Sequence, residues 1–190
     1  MAKIKLKYLF FNAECFYEIG KNSVINFNTI FRSGQFCQQD LSYVSVGATN
    51  FTLAVELYLK ALNLLCSDKQ MYRHELVKLL NNLPEDTRIK LNNGYLTELA
   101  NRTIGLGDFR TNSGSKSSSD LRKERTDLML LVSSHDIAFI KWRYMHEESK
   151  DELAADFDGL ECFILAMRKI IVEISQEKGF DLIEKKYNKS

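Results

Sequence analysis

The stretch "LSYVSVGATNFTLAVELYLKALNLL", Leu41 to Leu65, decides the fold class. Its apolar positions Leu41, Val44, Ala48, Phe51, Val55, Tyr58, Leu62 and Leu65 are separated by steps of three and four. That spacing returns each side chain to one face of an α-helix, whereas a half-buried strand would alternate every second residue. A long helix with one continuous apolar seam follows. A second seam has the same rhythm: Leu153, Phe157, Leu160, Ile164, Met167, Ile171 and Ile174. Ser149 with Glu152 three residues on has the pattern of a capping box for it. A third long helix is predicted from about Asp127 to about Glu148, with Leu128, Leu131, His135, Ala138, Phe139, Trp142 and Met145 on its inner side.

The rest of the chain suits an antiparallel bundle of such helices. One proline and nine glycines in 190 residues match a mostly helical protein, because helix interiors exclude both. "RHELVKLLNNL" (Arg73 to Leu83) reads as a short helix. Pro84, Glu85 and Asp86 suit the first turn of the next, which ends near Ile104. Tyr8 to Phe31 reads as one or two helices. "KIKLKYLF" alternates with period two, so Lys3 to Leu9 stays open between a short edge strand and a helix start. "GLGDFRTNSGSKSSSDLRKERTD", Gly105 to Asp127, is rich in Gly and Ser and is predicted as a long flexible connection ahead of the penultimate long helix, its mobile part being 105–125.

Composition narrows the function classes. An apolar fraction of 45% supports a single domain over 1–190. With 26 Lys+Arg against 25 Asp+Glu, the net charge is +1, so contact with nucleic acid or an anionic surface has to come from a local patch. Arg110, Lys116, Arg122, Lys123 and Arg125 in the Gly/Ser segment are the RNA-contact candidates, set against a plain solvated loop. "GLGD" lacks the frame of a P-loop. Cys15, Cys37, Cys66 and Cys162 form no CxxC pair and read as reduced, mostly buried thiols of a cytoplasmic protein. The N-terminus opens with lysines before "YLFF", but Asn12 and Glu14 interrupt the apolar run, and no stretch reaches a membrane span. Three histidines without an HExxH arrangement predict no metal site, and no cofactor motif is present.

One segment concentrates chemistry: "FIKWRYMHEE", Phe139 to Glu148. Arg143, His146 and Glu147 share a helix face, since residues three and four apart are neighbours there. An imidazole beside a guanidinium could deprotonate a ribose 2′-hydroxyl while the cation stabilises the charge developing on phosphorus. The other reading is an Arg143–Glu147 ion pair on a solvated helix. Glu56 and Lys60 form an i,i+4 pair in the favoured order; Glu56 either lies at the surface or turns inward toward a cation such as Arg143 or Arg73. His135 reads as a core histidine, Trp142 as packing.

Two segments resemble the HEPN superfamily. "LAVELYLKALNLL" followed by "RHELVKLL" is similar to its signature of an A-x-E-x-x-x-K-A-L helix and a His-[Asp/Glu]-Leu-x-x-Leu turn, through Ala54, Glu56, Lys60, Ala61 and Leu62, then His74, Glu75, Leu76, Leu79 and Leu80. "FIKWRYMHEE" resembles the F-x-x-W-R-Y-x-x-E helix of many HEPN-like proteins, through Phe139, Trp142, Arg143, Tyr144 and Glu147. The resemblance implies an all-α HEPN-like bundle, commonly a homodimer, in prokaryotic defence or toxin modules. Its catalytic members are metal-independent endoribonucleases built on an Arg and a His with four to six residues between them. Here Arg143 and His146 have two between them. That spacing departs from the family's pattern; if the protein cleaves RNA, Arg143 and His146 are the candidate catalytic residues, with Tyr144, Glu147, Glu56 and Lys60 supporting. The alternative is a non-catalytic dimerisation or adaptor module that binds a protein partner.

Overall fold

The computed structural model describes residues 2–68, 71–110, 125–136, 142, 154–179 and 182. Their elements are α1 (Ala2–Ser33), a 3-10 turn (Gln38–Asp40), α2 (Leu41–Ser67), α3 (Leu76–Asn81), α4 (Glu85–Ala100), β1 (Asp108–Arg110), α5 (Leu128–Ser134), β2 (Ala154–Asp156) and α6 (Phe157–Glu177). The fold is an all-α helical bundle with one small two-stranded sheet.

α1 is one continuous helix, so the open reading of Lys3 to Leu9 resolves to helix. The period-two pattern there is overridden because Leu6, Phe10, Ala13, Tyr17 and Val24 form a buried seam at helical spacing. That seam lies against α2. Phe10 meets Tyr58 edge-on, Tyr17 meets Phe51, and Ser23 donates to the Tyr43 carbonyl, so the partner number falls as the α1 number rises and the pair is antiparallel. The crossing is close. A Cβ on Gly47 would stand 2.6 Å from a Val24 methyl, which leaves room only for glycine there.

α6 closes the bundle. Its Glu161 reaches Tyr17 of α1, while Phe157 packs on Phe51 of α2. α4 runs antiparallel to α6, with Lys90 bonded to Glu173, Tyr95 against Phe163, and Glu98 paired with Lys169. The core is continuous across α1, α2, α4 and α6 and takes in Trp142 and Leu182.

Several boundaries depart from the sequence expectation. α3 and α4 are shorter at both ends than predicted, and Pro84 stands just outside α4 at its N-cap position, where its carbonyl accepts from the Arg88 amide. The predicted helix from Asp127 stops at Ser134, with His135 and Asp136 in a turn; Asp136 instead accepts from the Val77 amide at the start of α3. The seam from Leu153 begins its helix only at Phe157. Ala154–Asp156 is a strand pairing antiparallel with Asp108–Arg110, and Asp156 caps α6 by accepting from the Gly159 amide at 2.9 Å. The expected Ser149–Glu152 cap lies outside the described residues, as does most of the Gly/Ser segment. In its first part, 105–107 is irregular, but Asp108–Arg110 is β1, not loop. The thiols are not mostly buried: Cys162 is, Cys66 is half-buried, and Cys15 and Cys37 are exposed.

Candidate functional site

Of the expected catalytic group, Arg143, Tyr144, His146 and Glu147 lie outside the described residues, as do Lys116, Arg122 and Lys123. Arg110 is the last residue of β1. Glu56, Lys60 and Arg125 are placed with their side chains.

The two segments of the helix-and-turn signature meet through one carboxylate. Glu56, on α2, is only 6% exposed. Its Oε1 accepts from Lys60 Nζ at 2.7 Å and contacts His74 Nδ1 at 2.9 Å. A desolvated carboxylate needs such partners. Glu56 is therefore turned inward, but the partners seen are Lys60 and His74 and not the expected Arg73, while Arg143 lies outside the described residues. The His74 side chain is 77% exposed, so the buried glutamate holds an imidazole at the surface. Asn63, one turn past Lys60, extends the join: its Nδ2 donates to the Leu59 and Leu79 carbonyls, and Asn82 donates to its Oδ1.

A larger polar cluster, unforeseen from the sequence, sits at the N-terminal end of α6. Asp158 Oδ1 accepts from the amides of Leu106 and Gly107 at 2.6 and 3.0 Å and from Arg102 Nε at 3.1 Å. Its Oδ2 faces Arg125 Nη1 at 3.3 Å. Arg125 Nε donates to Asp156 at 2.8 Å. Glu161, one turn along α6, accepts from Arg102 Nη2, from Tyr17 at 2.7 Å, and from Lys21 at 2.9 Å. Three cations thus face three carboxylates, so the cluster is electrically neutral. The "GLGD" stretch is a pair of amides cradling the protein's own carboxylate. Gly105 is required beside it, because a Cβ there would come within 2.5 Å of Asp158 Oδ1. Asn28 of α1 fixes the same segment by donating to the Leu106 carbonyl at 2.8 Å.

Protonation follows from these contacts. Burial alone would raise the Glu161 carboxyl, but the hydrogen bonds from Tyr17, Lys21 and Arg102 outweigh it and hold it below its ordinary value. Burial opposes the Arg102 charge, yet Glu161 and Asp158 raise it above its usual value. Burial and the Glu161 bond together push the Tyr17 phenol up, so it stays a donor. Cys162 is raised by burial despite Arg102 Nη1 at 3.6 Å from its sulfur, which makes it a poor nucleophile.

His135 is buried on the apolar stripe, as expected. Its Nε2 accepts from the Asp156 amide at 3.2 Å, so Nδ1 carries the proton and donates to the Leu131 carbonyl at 2.8 Å. Trp142 is buried, with its ring 6.2 Å from Phe109 and its carbonyl accepting from Ser45. Among the described residues, no group of three or more His, Cys, Asp or Glu is arranged to hold a metal ion.

In sequence, the only trace of the α6 cluster was Asp156, Asp158 and Glu161 near a helix start. Their cations lie more than thirty residues away, at Arg125 and Arg102, where no spacing rule could reach them. Compared with known proteins, the chain matches no protein-family model, no curated protein and no solved structure.

Proposed function

We propose that the chain is a HEPN-like protein of a prokaryotic defence or toxin-type system, RNA-directed and working as a homodimer in the cytoplasm, with metal-independent endoribonuclease chemistry at Arg143 and His146. The observation that carries this reading is the Glu56–Lys60–His74 join. The residues that suggested the resemblance, from two separate segments, share one buried carboxylate. Chance apolar similarity would not require Glu56 and His74 to meet.

In this reading His146 takes the proton of a ribose 2′-hydroxyl and the oxygen attacks the adjacent phosphorus. Arg143 stabilises the charge on the phosphorane, and the bond to the 5′-oxygen breaks, leaving a 2′,3′-cyclic phosphate and a 5′-hydroxyl once the leaving oxygen is protonated. Tyr144 and Glu147 shape the site, and Arg110, Lys116, Arg122, Lys123 and Arg125 guide the strand. Arg125 already bonds Asp156 and Asp158, so a phosphate there would compete with two carboxylates.

The test is cleavage of a mixed RNA pool by the purified protein in EDTA, beside Arg143→Ala and His146→Ala. The expected outcome is cleavage by the parent and a loss of about 100-fold or more in each variant. Full cleavage by both variants, or none by the folded parent, rejects the chemistry. A second reading is an adaptor that binds a protein partner without catalysis. It is favoured by the closed α6 cluster, in which Arg102 and Arg125 serve to brace helices.

A further inference from the structure

Glu56 and His74 form a carboxylate–imidazole pair of opposite exposure. Glu56 is buried on α2, whereas the His74 side chain is open to solvent over 77% of its surface, in the irregular segment 71–75 ahead of α3. Lys60 Nζ makes an ion pair with Glu56 Oε1 at 2.7 Å, so the oxygen that faces His74 is an acceptor only. At 2.9 Å from that oxygen, Nδ1 carries the ring proton and donates it. Nε2 then holds the lone pair of the neutral ring, and no group among the described residues bonds to it. A carboxylate behind an imidazole fixes both its tautomer and its orientation, which are what a nucleophilic nitrogen requires. A purely structural brace would gain nothing from leaving the ring in water.

The exposure selects the chemistry. A base that works on a small bound substrate sits in a cleft, whereas an imidazole this open is reached by a group carried on another molecule. A transferring phosphoryl group is such a cargo. It asks for a lone pair to attack phosphorus, a guanidinium for its oxygens and a counter-charge for the imidazolium that forms. Arg73, next in the chain, is exposed and joins no ion pair among the described residues. Glu75, whose carboxyl feels the Arg73 charge, is held instead by Lys78 at 2.7 Å. Exchanging one P–N bond for another is nearly balanced in energy, so an acceptor of this kind needs no nucleotide cleft of its own.

We infer that His74 is a phosphoryl-acceptor site whose donor is a P–N compound, such as a phosphohistidine on a partner protein. Nε2 is the attacking atom, Glu56 is its positioning residue, and Arg73 receives the phosphoryl oxygens. The Nε2 lone pair attacks phosphorus and the donor's P–N bond breaks. The donor nitrogen, already protonated, leaves with the electron pair as a neutral amine or imidazole. The His74 ring becomes an imidazolium with phosphorus on Nε2 and its proton still on Nδ1, facing Glu56. No step involves RNA, so the site stands or falls apart from the proposed ribonuclease chemistry.

Phosphoramidate itself is the probe. The full chain is incubated with it at about pH 8, where ordinary imidazoles are neutral, and adducts are mapped by mass spectrometry with N-acetylhistidine methylamide timed in parallel. An acid-labile phosphoryl adduct is expected at His74, forming about tenfold faster than on the model compound. His74→Asn should abolish that adduct. Glu56→Gln, which keeps an oxygen acceptor but removes the counter-charge, should slow it about tenfold with an unchanged circular dichroism spectrum. Side-chain nitrogen NMR of the parent should show a protonated Nδ1 and a bare Nε2 at His74. No adduct at His74, or one formed no faster than on the model compound, overturns the inference. So does a proton found on Nε2, a readout that decides even where Glu56→Gln does not fold. A folded Glu56→Gln that reacts at the parental rate removes Glu56 from the site and overturns the geometry on which the inference rests.

Discussion

Glu161 shows how much a single side chain can hold together here. It accepts from α1 through Tyr17 and Lys21 and from the end of α4 through Arg102. Replacing it by Gln leaves a half-buried guanidinium short of one counter-charge, so Glu161→Gln should destabilise the fold by about 3 kcal/mol near neutral pH, read from urea unfolding. The pH dependence has a defined sign. The folded carboxyl titrates below its ordinary value, so the unfolded chain takes up its proton first as pH falls. The stabilisation is fully present above the unfolded value of about 4.3 and is lost as pH drops through the lower folded value. The gap between parent and Glu161→Gln should therefore narrow below about pH 4. A constant gap down to pH 3 would mean that the charge of Glu161 contributes nothing. Trp142, the only tryptophan, is a second single-residue probe: Trp142→Ala should cost about 3–5 kcal/mol in thermal unfolding, since its ring is buried against Phe109.

Among the elements, the long helices were legible and their ends were not. α2 begins at Leu41, where its apolar seam begins, because three-and-four spacing sustained from Leu41 to Leu65 leaves no competing structure. α5 and the start of α6 went differently. The seam from Leu153 continues without a break in the sequence, yet Ala154–Asp156 is drawn into a ladder with Asp108–Arg110, and Asp156 turns to cap the helix. A strand of three residues carries too short a pattern to be read, and its partner lies some forty-five residues earlier. The turn before β1 depends on the missing Cβ of Gly105, since Asp158 occupies the space. Gly105→Ala should destabilise by about 2 kcal/mol through forced displacement of the Asp158 carboxylate, measurable as a lowered urea midpoint. A neutral result would show that the Leu106 and Gly107 amides can move with the loop.

On the scale of the molecule, four long helices among the described residues enclose one core, with α1 antiparallel to α2 and α4 antiparallel to α6. Among the described residues, no helix is long and apolar enough to cross a membrane. α1 lies at the edge of this arrangement with Ile4, Tyr8, Phe11 and Ile19 exposed on its outer face, and the EDTA cleavage test is a question about the whole molecule. The amino-acid sequence determined that this is a helical bundle and which faces of α2 and α6 turn inward, since a period of about 3.6 residues is repeated locally many times over; the inward face of α1 was decided by its packing on α2. It also placed Glu56, Lys60 and His74 in short motifs that proved to touch. Tertiary structure alone decided that Lys21, Arg102 and Arg125 would neutralise Asp156, Asp158 and Glu161, that "GLGD" would cradle Asp158, and where the helix from Leu128 stops. Those outcomes rest on single contacts between groups more than thirty residues apart, and such contacts leave no periodic trace in the chain.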